Sequence, residues 1–173
     1  MPVQTSDTGD EVLRMMQVYH VRHLPIVNHV QLLGVVSEED VLIHDTDEAV
    51  GTYRLSFLRP FCFRDDHLFE VMAKMGRFKL TIIPVIDKDE TYLGVITMED
   101  LLQYFASYFS FADAGSILVI ETSRSHYSLA EIARIAEAED INILSSFVQS
   151  IPDTQRINIT LKLNRQDILG LKA

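Results

Sequence analysis

An α+β protein follows from the sequence: two related β-α-β-β-α units, then a smaller ferredoxin-like βαββ module. The seven residues Gly34-Val35-Val36-Ser37-Glu38-Glu39-Asp40 return as Gly94-Val95-Ile96-Thr97-Met98-Glu99-Asp100. A glycine, an apolar pair, a hydroxyl and an aspartate therefore recur in register, which marks an internal repeat. Beyond about residue 108 the repeat stops, and short alternating strands flank a single helical stretch.

The copies extend well outside the seven residues. Leu24-Pro25-Ile26-Val27 corresponds to Ile83-Pro84-Val85-Ile86, and Val12-Leu13-Arg14-Met15-Met16 to Val71-Met72-Ala73-Lys74-Met75. The offset is 59 at Pro25 and Pro84 and 60 at Gly34 and Gly94, so one residue is inserted in the turn Asp87–Glu90. A turn is where added length costs little.

Taken in order, Val12, Leu13, Met16 and Tyr19 fall at helical spacing, as do Leu68, Val71, Met72 and Met75. The proline-containing runs read as short strands, each proline suiting the start or an edge, where a missing N–H is tolerated. Strands Leu32–Val36 and Leu93–Ile96 follow, and a second helix begins near Ser37 and Thr97. Each hydroxyl stands three residues before Asp40 or Asp100, a capping-box spacing. Phe61-Cys62-Phe63 enters the second copy as a strand, at the position of Pro2-Val3-Gln4 in the first. Little precedes the first copy, which points to a chain that begins inside its first unit.

This arrangement resembles the cystathionine-beta-synthase (CBS) domain, which occurs as a tandem pair. The resemblance covers roughly residues 2–106 and rests on the element order together with the paired Gly-h-h-(Ser/Thr)-x-x-Asp motif. It implies a pair spanning about 1–109, with repeat one at about 2–42 and repeat two at about 61–106. It also implies two clefts about a pseudo-twofold axis that take an adenosine-containing ligand: AMP, ADP, ATP or S-adenosylmethionine. Carried over by position, Asp40 and Asp100 would accept from ribose hydroxyls, and Ser37 and Thr97 would meet phosphate at a helix start. A carboxylate can accept from both hydroxyls of a diol, and a helix start offers free N–H groups to an anion.

The remaining cleft walls would be Thr5, Ser6 and Asp7 with Arg22 and His23 in the first copy. In the second they would be Arg64, Asp65 and Asp66 with Thr81 and Ile82. Arg22 marks the first cleft as the better phosphate site. The simpler alternative is that Ser37, Asp40, Thr97 and Asp100 only cap helices, a role worth about 0.5–2 kcal/mol each. Arg22 and Lys79 are then ordinary solvated cations.

Residues 110–115 read as a linker. The third segment follows as strand Ser116–Glu121, helix Leu129–Ala138, strand Asn142–Gln149, a Pro152-Asp153 turn and strand Ile157–Leu163. Residues 115–167 resemble an ACT domain, a βαββαβ module that often binds amino acids at a subunit interface. Tyr127-Ser128 replaces a glycine usual before its helix, which argues against an amino-acid site and for a packing or dimerising sheet. Only Asn164–Ala173 follow Leu163, too few for a further helix and strand, so residues 116–173 read as an incomplete module.

At 173 residues and 47% hydrophobic the chain can bury a substantial core. A net charge of −10 opposes binding to nucleic acid or anionic membrane and favours a ligand with less charge than ATP. Apolar runs fall short of a membrane span, no signal-peptide pattern opens the chain, and a single cysteine leaves no internal disulfide; a cytoplasmic location is the expectation.

The sequence offers no catalytic or metal-binding constellation. His20 and His23 read as structural, and His44, His67 and His126 as solvated. Cys62 between two phenylalanines reads as a buried thiol, and Met15, Met16, Met72 and Met75 as core.

The expected protein is non-catalytic, similar in layout to small bacterial acetoin-utilisation-type CBS regulators. It would require no cofactor, sense an adenosine ligand and signal to a regulated partner by conformational or dimer change. A homodimer would form through the CBS helices or the ACT-like sheet. A ligand-free scaffold and the regulatory part of a larger enzyme are the alternatives.

Overall fold

A computed structural model describes residues 2–53 and 59–168, and the chain divides into two units, Met1–Leu102 and Gln103–Ala173. The first contains α1 (Gly9–Tyr19), β1 (His23–Asn28), β2 (Gln31–Ser37), α2 (Glu38–Leu42), β3 (Cys62–Phe63), α3 (Leu68–Phe78), β4 (Ile82–Ile86) and β5 (Tyr92–Thr97). The division falls within α4 (Met98–Tyr108), and β6 (Ser116–Ser123), α5 (Leu129–Ala138), β7 (Ile143–Ser150) and β8 (Arg156–Leu163) follow. The architecture is α+β, two related units of α-β-β-α order, the second entered by the strand β3, followed by a C-terminal βαββ module.

The two copies match down to single bonds. Thr8 and His67 are N-caps 59 residues apart, and Asp7 and Asp66 each accept from the backbone N–H three residues earlier, Gln4 at 2.8 Å and Phe63 at 3.1 Å. Both helices end on a left-handed residue that is not glycine, His20 at φ 53° and Lys79 at φ 52°. Val3 bridges Ile26 in parallel, as Cys62 pairs with Val85.

Pro25 lies on β1, an edge strand of its two-stranded sheet as expected, whereas Pro84 departs from expectation on β4, between β3 and β5. Pro25 and Pro84 are each the third residue of their strand, not its start. Around Pro25 the adjoining segment uses only groups the strand can supply: Val3 N–H donates to Pro25 C=O and Val27 N–H to Val3 C=O, both at 2.9 Å. The absent proline N–H is never called on.

Each first helix buries one stripe against its hairpin. Val12 and Met16 in α1, and Val71 and Met75 in α3, are 0–4% exposed. Met15 packs partly buried against the first core, whereas Met72 is exposed, so the methionine stripe is core over only part of its width. Ile82 from the second copy is buried in the first copy's cluster with Val12, Leu24 and Val36, so the copies share a core. The two hairpin turns also meet, through a Gln31–Thr91 bridge and a 2.7 Å bond from Tyr92 N–H to Val30 C=O.

In the second unit the sheet order is β6-β8-β7, antiparallel throughout, so the central strand is the last in sequence. On β8, Ile157, Ile159, Leu161 and Leu163 are buried in alternation beneath Ala136 and Ile132 of α5. Ser128, standing where the ACT pattern has glycine, caps α5 by accepting from Glu131 N–H. Among the described residues no helix is long and apolar enough to cross a membrane.

Candidate functional site

The hydroxyl–carboxylate pair is built the same way in both copies. Ser37 Oγ donates to Asp40 Oδ2 at 2.6 Å and Thr97 Oγ1 to Asp100 Oδ2 at 2.7 Å. The backbone N–H of Ser37 and of Thr97 donates to the same carboxylate oxygen at 2.9 Å, and the N–H of Asp40 and of Asp100 returns a bond to the hydroxyl at 3.0 Å. Both are complete capping boxes formed by the residues the repeat singled out. Each carboxylate uses Oδ2 for these bonds, leaving Oδ1 to accept from elsewhere. The bonds from Thr97 hold the Asp100 carboxyl below its ordinary range.

A continuous run of contacts joins these two pairs. Arg22 C=O accepts from Glu38 N–H at the start of α2, and Thr81 C=O accepts from Met98 N–H at the start of α4, both at 2.9 Å. Between them Arg22 N–H donates to Thr81 Oγ1 at 2.9 Å, Thr81 N–H donates to His23 Nδ1 at 3.2 Å, and the hydroxyl lies 3.0 Å from that nitrogen. Within the hairpins His23 stands opposite Ser37, and Ile82 opposite Thr97. Eight of the ten residues picked from the sequence thus lie in one band across the junction of the two copies.

Electrostatics differ along that band. Arg22 Nε pairs with Glu38 at 3.0 Å and its Nη2 with Glu39 at 3.4 Å, while the side chain stays 61% exposed. Such exposed pairs are worth at most about 1 kcal/mol, so the guanidinium can exchange partners cheaply. His23 accepts the Thr81 N–H at Nδ1, which fixes its proton on Nε2. Burial lowers its pKa, and the Arg22 charge lowers it further. Ile82 has a fully buried side chain, leaving its backbone as the part that can face a cleft.

Thr5 and Asp7 are tied to a different neighbour. Thr5 C=O accepts from Gly51 N–H at 2.9 Å and Asp7 C=O from Val50 N–H at 2.8 Å, while the Asp7 side chain closes its own turn onto Gln4. The segment that does this, residues 44–53, was not legible as part of the site. Its Tyr53 Oη donates to Asp45 C=O at 2.9 Å, and its ring stacks on His44 at 4.4 Å. His44 Nδ1 in turn bonds Asp40 C=O at 2.7 Å, so it is a half-buried link to α2, not the solvated residue expected. His67 likewise has a local role, accepting from Phe69 N–H at the α3 cap. In the sequence, residues 44–53 stand out by the acidic opening His44-Asp45-Thr46-Asp47-Glu48, which gives no sign of the bonds to Thr5 and Asp7.

Cys62 is fully buried, and burial is the main cause that pushes its thiol pKa up to about 11. Among the described residues no three His, Cys, Asp or Glu side chains are placed to hold a metal ion.

The family profile described as CBS domain matches residues 1–46 and 59–107, more than half of the chain. A homoserine O-acetyltransferase from Methanohalobium evestigatum is 32% identical over 98 residues, covering 53% of this chain and 19% of the relative. The chain spans about a fifth of the length of the curated relatives it matches. Among solved structures, a CBS domain pair/ACT domain protein from Thermotoga maritima superposes with a TM-score of 0.55 at 23% identity, covering 61% of this chain and 88% of that one. CBSX2, solved in complex with AMP, gives a TM-score of 0.53 at 22% identity, covering 62% and 87%.

Proposed function

We propose that this chain, which belongs to the CBS domain family, is a non-catalytic regulatory module whose CBS pair binds an adenosine-containing ligand and signals by a change of conformation or dimer geometry. The observation that carries this reading is the repeated box at Ser37/Asp40 and Thr97/Asp100, with one carboxylate oxygen in each committed to the helix cap and the other open to a ribose diol. The AMP complex of CBSX2 is support by analogy of fold.

The ligand is a weakly charged one, AMP or S-adenosylmethionine in preference to ATP. Glu38, Glu39 and Asp40 open α2, and Glu99 and Asp100 open α4, with Arg22 as the cation contacting the first cluster. A polyphosphate would meet more repulsion there than one guanidinium offsets. Arg22 selects the first cleft for phosphate by exchanging Glu38 and Glu39 for the ligand. Thr81, His23, the Ile82 backbone, Thr5 and Asp7 complete the walls.

Signalling needs a ligand that binds one arrangement of the two copies more tightly than another. The Arg22–Thr81–His23 junction is the element that such a ligand would bias, because it lies between both boxes. A homodimer and a regulated partner protein complete the proposal, in a cytoplasmic setting.

Thermal unfolding with AMP, ADP, ATP and S-adenosylmethionine tests it. A ligand at a hundred times its dissociation constant adds about 2.7 kcal/mol. Asp40→Ala should abolish the shift more completely than Asp100→Ala. The ligand-free melting temperature of each variant reports the loss of the cap, and the ligand-induced shift measured from that baseline reports the loss of binding. No shift of the wild-type protein with any of the four would leave a ligand-free scaffold.

A further inference from the structure

We infer that the C-terminal unit carries a second, separate binding site, for a small apolar carboxylate, on the sheet face opposite α5. That face presents Ile117 from β6, Lys162 from β8 and Ser145 and Phe147 from β7, because Ile117 and Ser145 both stand directly across from Lys162 in the strand register. Phe105, Phe109 and Phe111 close over it, their rings 6.1, 5.3 and 6.1 Å from Phe147. The result is a cavity of about 410 Å³ walled by Phe105, Phe111, Phe147 and Ile117. Its size falls within the range of small-molecule sites, and its walls are of the same apolar kind.

Two features mark it as a site rather than a packing defect. Ser145 Oγ is buried and has no hydrogen-bond partner among the described residues. A buried hydroxyl left unpaired costs about 1–3 kcal/mol, so the fold carries a cost that a ligand oxygen would relieve. Lys162, its register neighbour, makes no ion pair among the described residues. A shift in the β7–β8 register between Ile143 and Ser145 sets this pairing, the kind of irregularity that re-aims a side chain.

Lys162 and Ser145, register neighbours on adjacent strands, line this apolar cavity together with Thr160, and an ammonium with these hydroxyls matches the two oxygens of a single carboxylate whose hydrocarbon lies against the phenylalanines. A phosphate ester would demand more donors, and a cation would face Lys162. The occupant is therefore an aryl- or alkyl-substituted carboxylic acid of about ten to fourteen heavy atoms, as the cavity volume allows.

Calorimetric titration of the full chain with 3-phenylpropanoate and with its neutral counterpart 3-phenylpropan-1-ol tests this. The carboxylate should bind saturably and at least about tenfold more tightly than the alcohol. Lys162→Met, which keeps the length of the side chain, and Ser145→Ala, which removes the unpaired hydroxyl at no cost to folding, should each weaken the carboxylate about tenfold and leave the alcohol within about threefold. The Asp40→Ala, Asp100→Ala double variant should bind the carboxylate unchanged, which separates this site from the adenosine clefts. Equal affinity for acid and alcohol, indifference to Lys162→Met, or no saturable binding would overturn the assignment. So would a dimer in sedimentation that dissociates on Lys162→Met while no carboxylate binds, since the face would then belong to a second copy of the chain.

Discussion

Replacing Thr81 by valine tests whether the junction between the two copies is held by its hydroxyl. Valine keeps the branched shape but removes the acceptor for Arg22 N–H at 2.9 Å and the hydroxyl 3.0 Å from His23 Nδ1. The Thr81 N–H bond to His23 at 3.2 Å survives. Two lost bonds at a net 0.5–1.5 kcal/mol each give a cost of roughly 1–3 kcal/mol, in the lower half because water reaches the Arg22 side of the junction. Thr81→Ser retains the hydroxyl and loses one methyl group, so it should cost less than about 1 kcal/mol. Equilibrium urea unfolding at pH 8 measures both. Adding His23→Ala to Thr81→Val should cost less than the two separately, by about 0.5–1.5 kcal/mol, because they share one interaction. If valine is tolerated as well as serine, the hydroxyl does not join the copies and the proposed route between the two boxes fails.

Four further outcomes are expected. Burial lowers the folded-state pKa of His23 below its ordinary 6.5, so its contribution to stability is complete above that pH and is lost as pH falls through it; urea midpoints between pH 7.5 and 5 should fall for the wild type and much less for His23→Asn. Lys79→Gly relieves a left-handed backbone at φ 52° and should raise stability by up to about 1 kcal/mol in the same assay. Gly115→Ala would drive its Cβ into Leu163 C=O, the bond partner region of β6 and β8, and should destabilise the C-terminal unit by about 1–3 kcal/mol in thermal unfolding. Cys62, with its thiol pushed up to about 11, should resist a disulfide-exchange reagent at pH 8 in the native state and react at once in urea.

The sequence alone determined what depends on near neighbours and on periodicity. Both capping boxes span three residues, so Ser37/Asp40 and Thr97/Asp100 were legible from spacing, and the structure forms them with the same bonds. The buried alternation of Ile157, Ile159, Leu161 and Leu163 was visible for a similar reason, since a strand turns every second side chain to one face. Tertiary structure decided whatever joins residues distant in the chain. No local signal sets Thr81 against Arg22 and His23, 58–59 residues away, or buries Ile82 in the other copy's core. Nor could spacing show that Val3 would bond around Pro25, freeing the proline to sit inside its strand, or that residues 44–53 would occupy Thr5 and Asp7. The cavity between Phe105, Phe147 and Lys162 belongs to the same class, because a hydroxyl becomes an unpaired buried group only when three separate segments close over it.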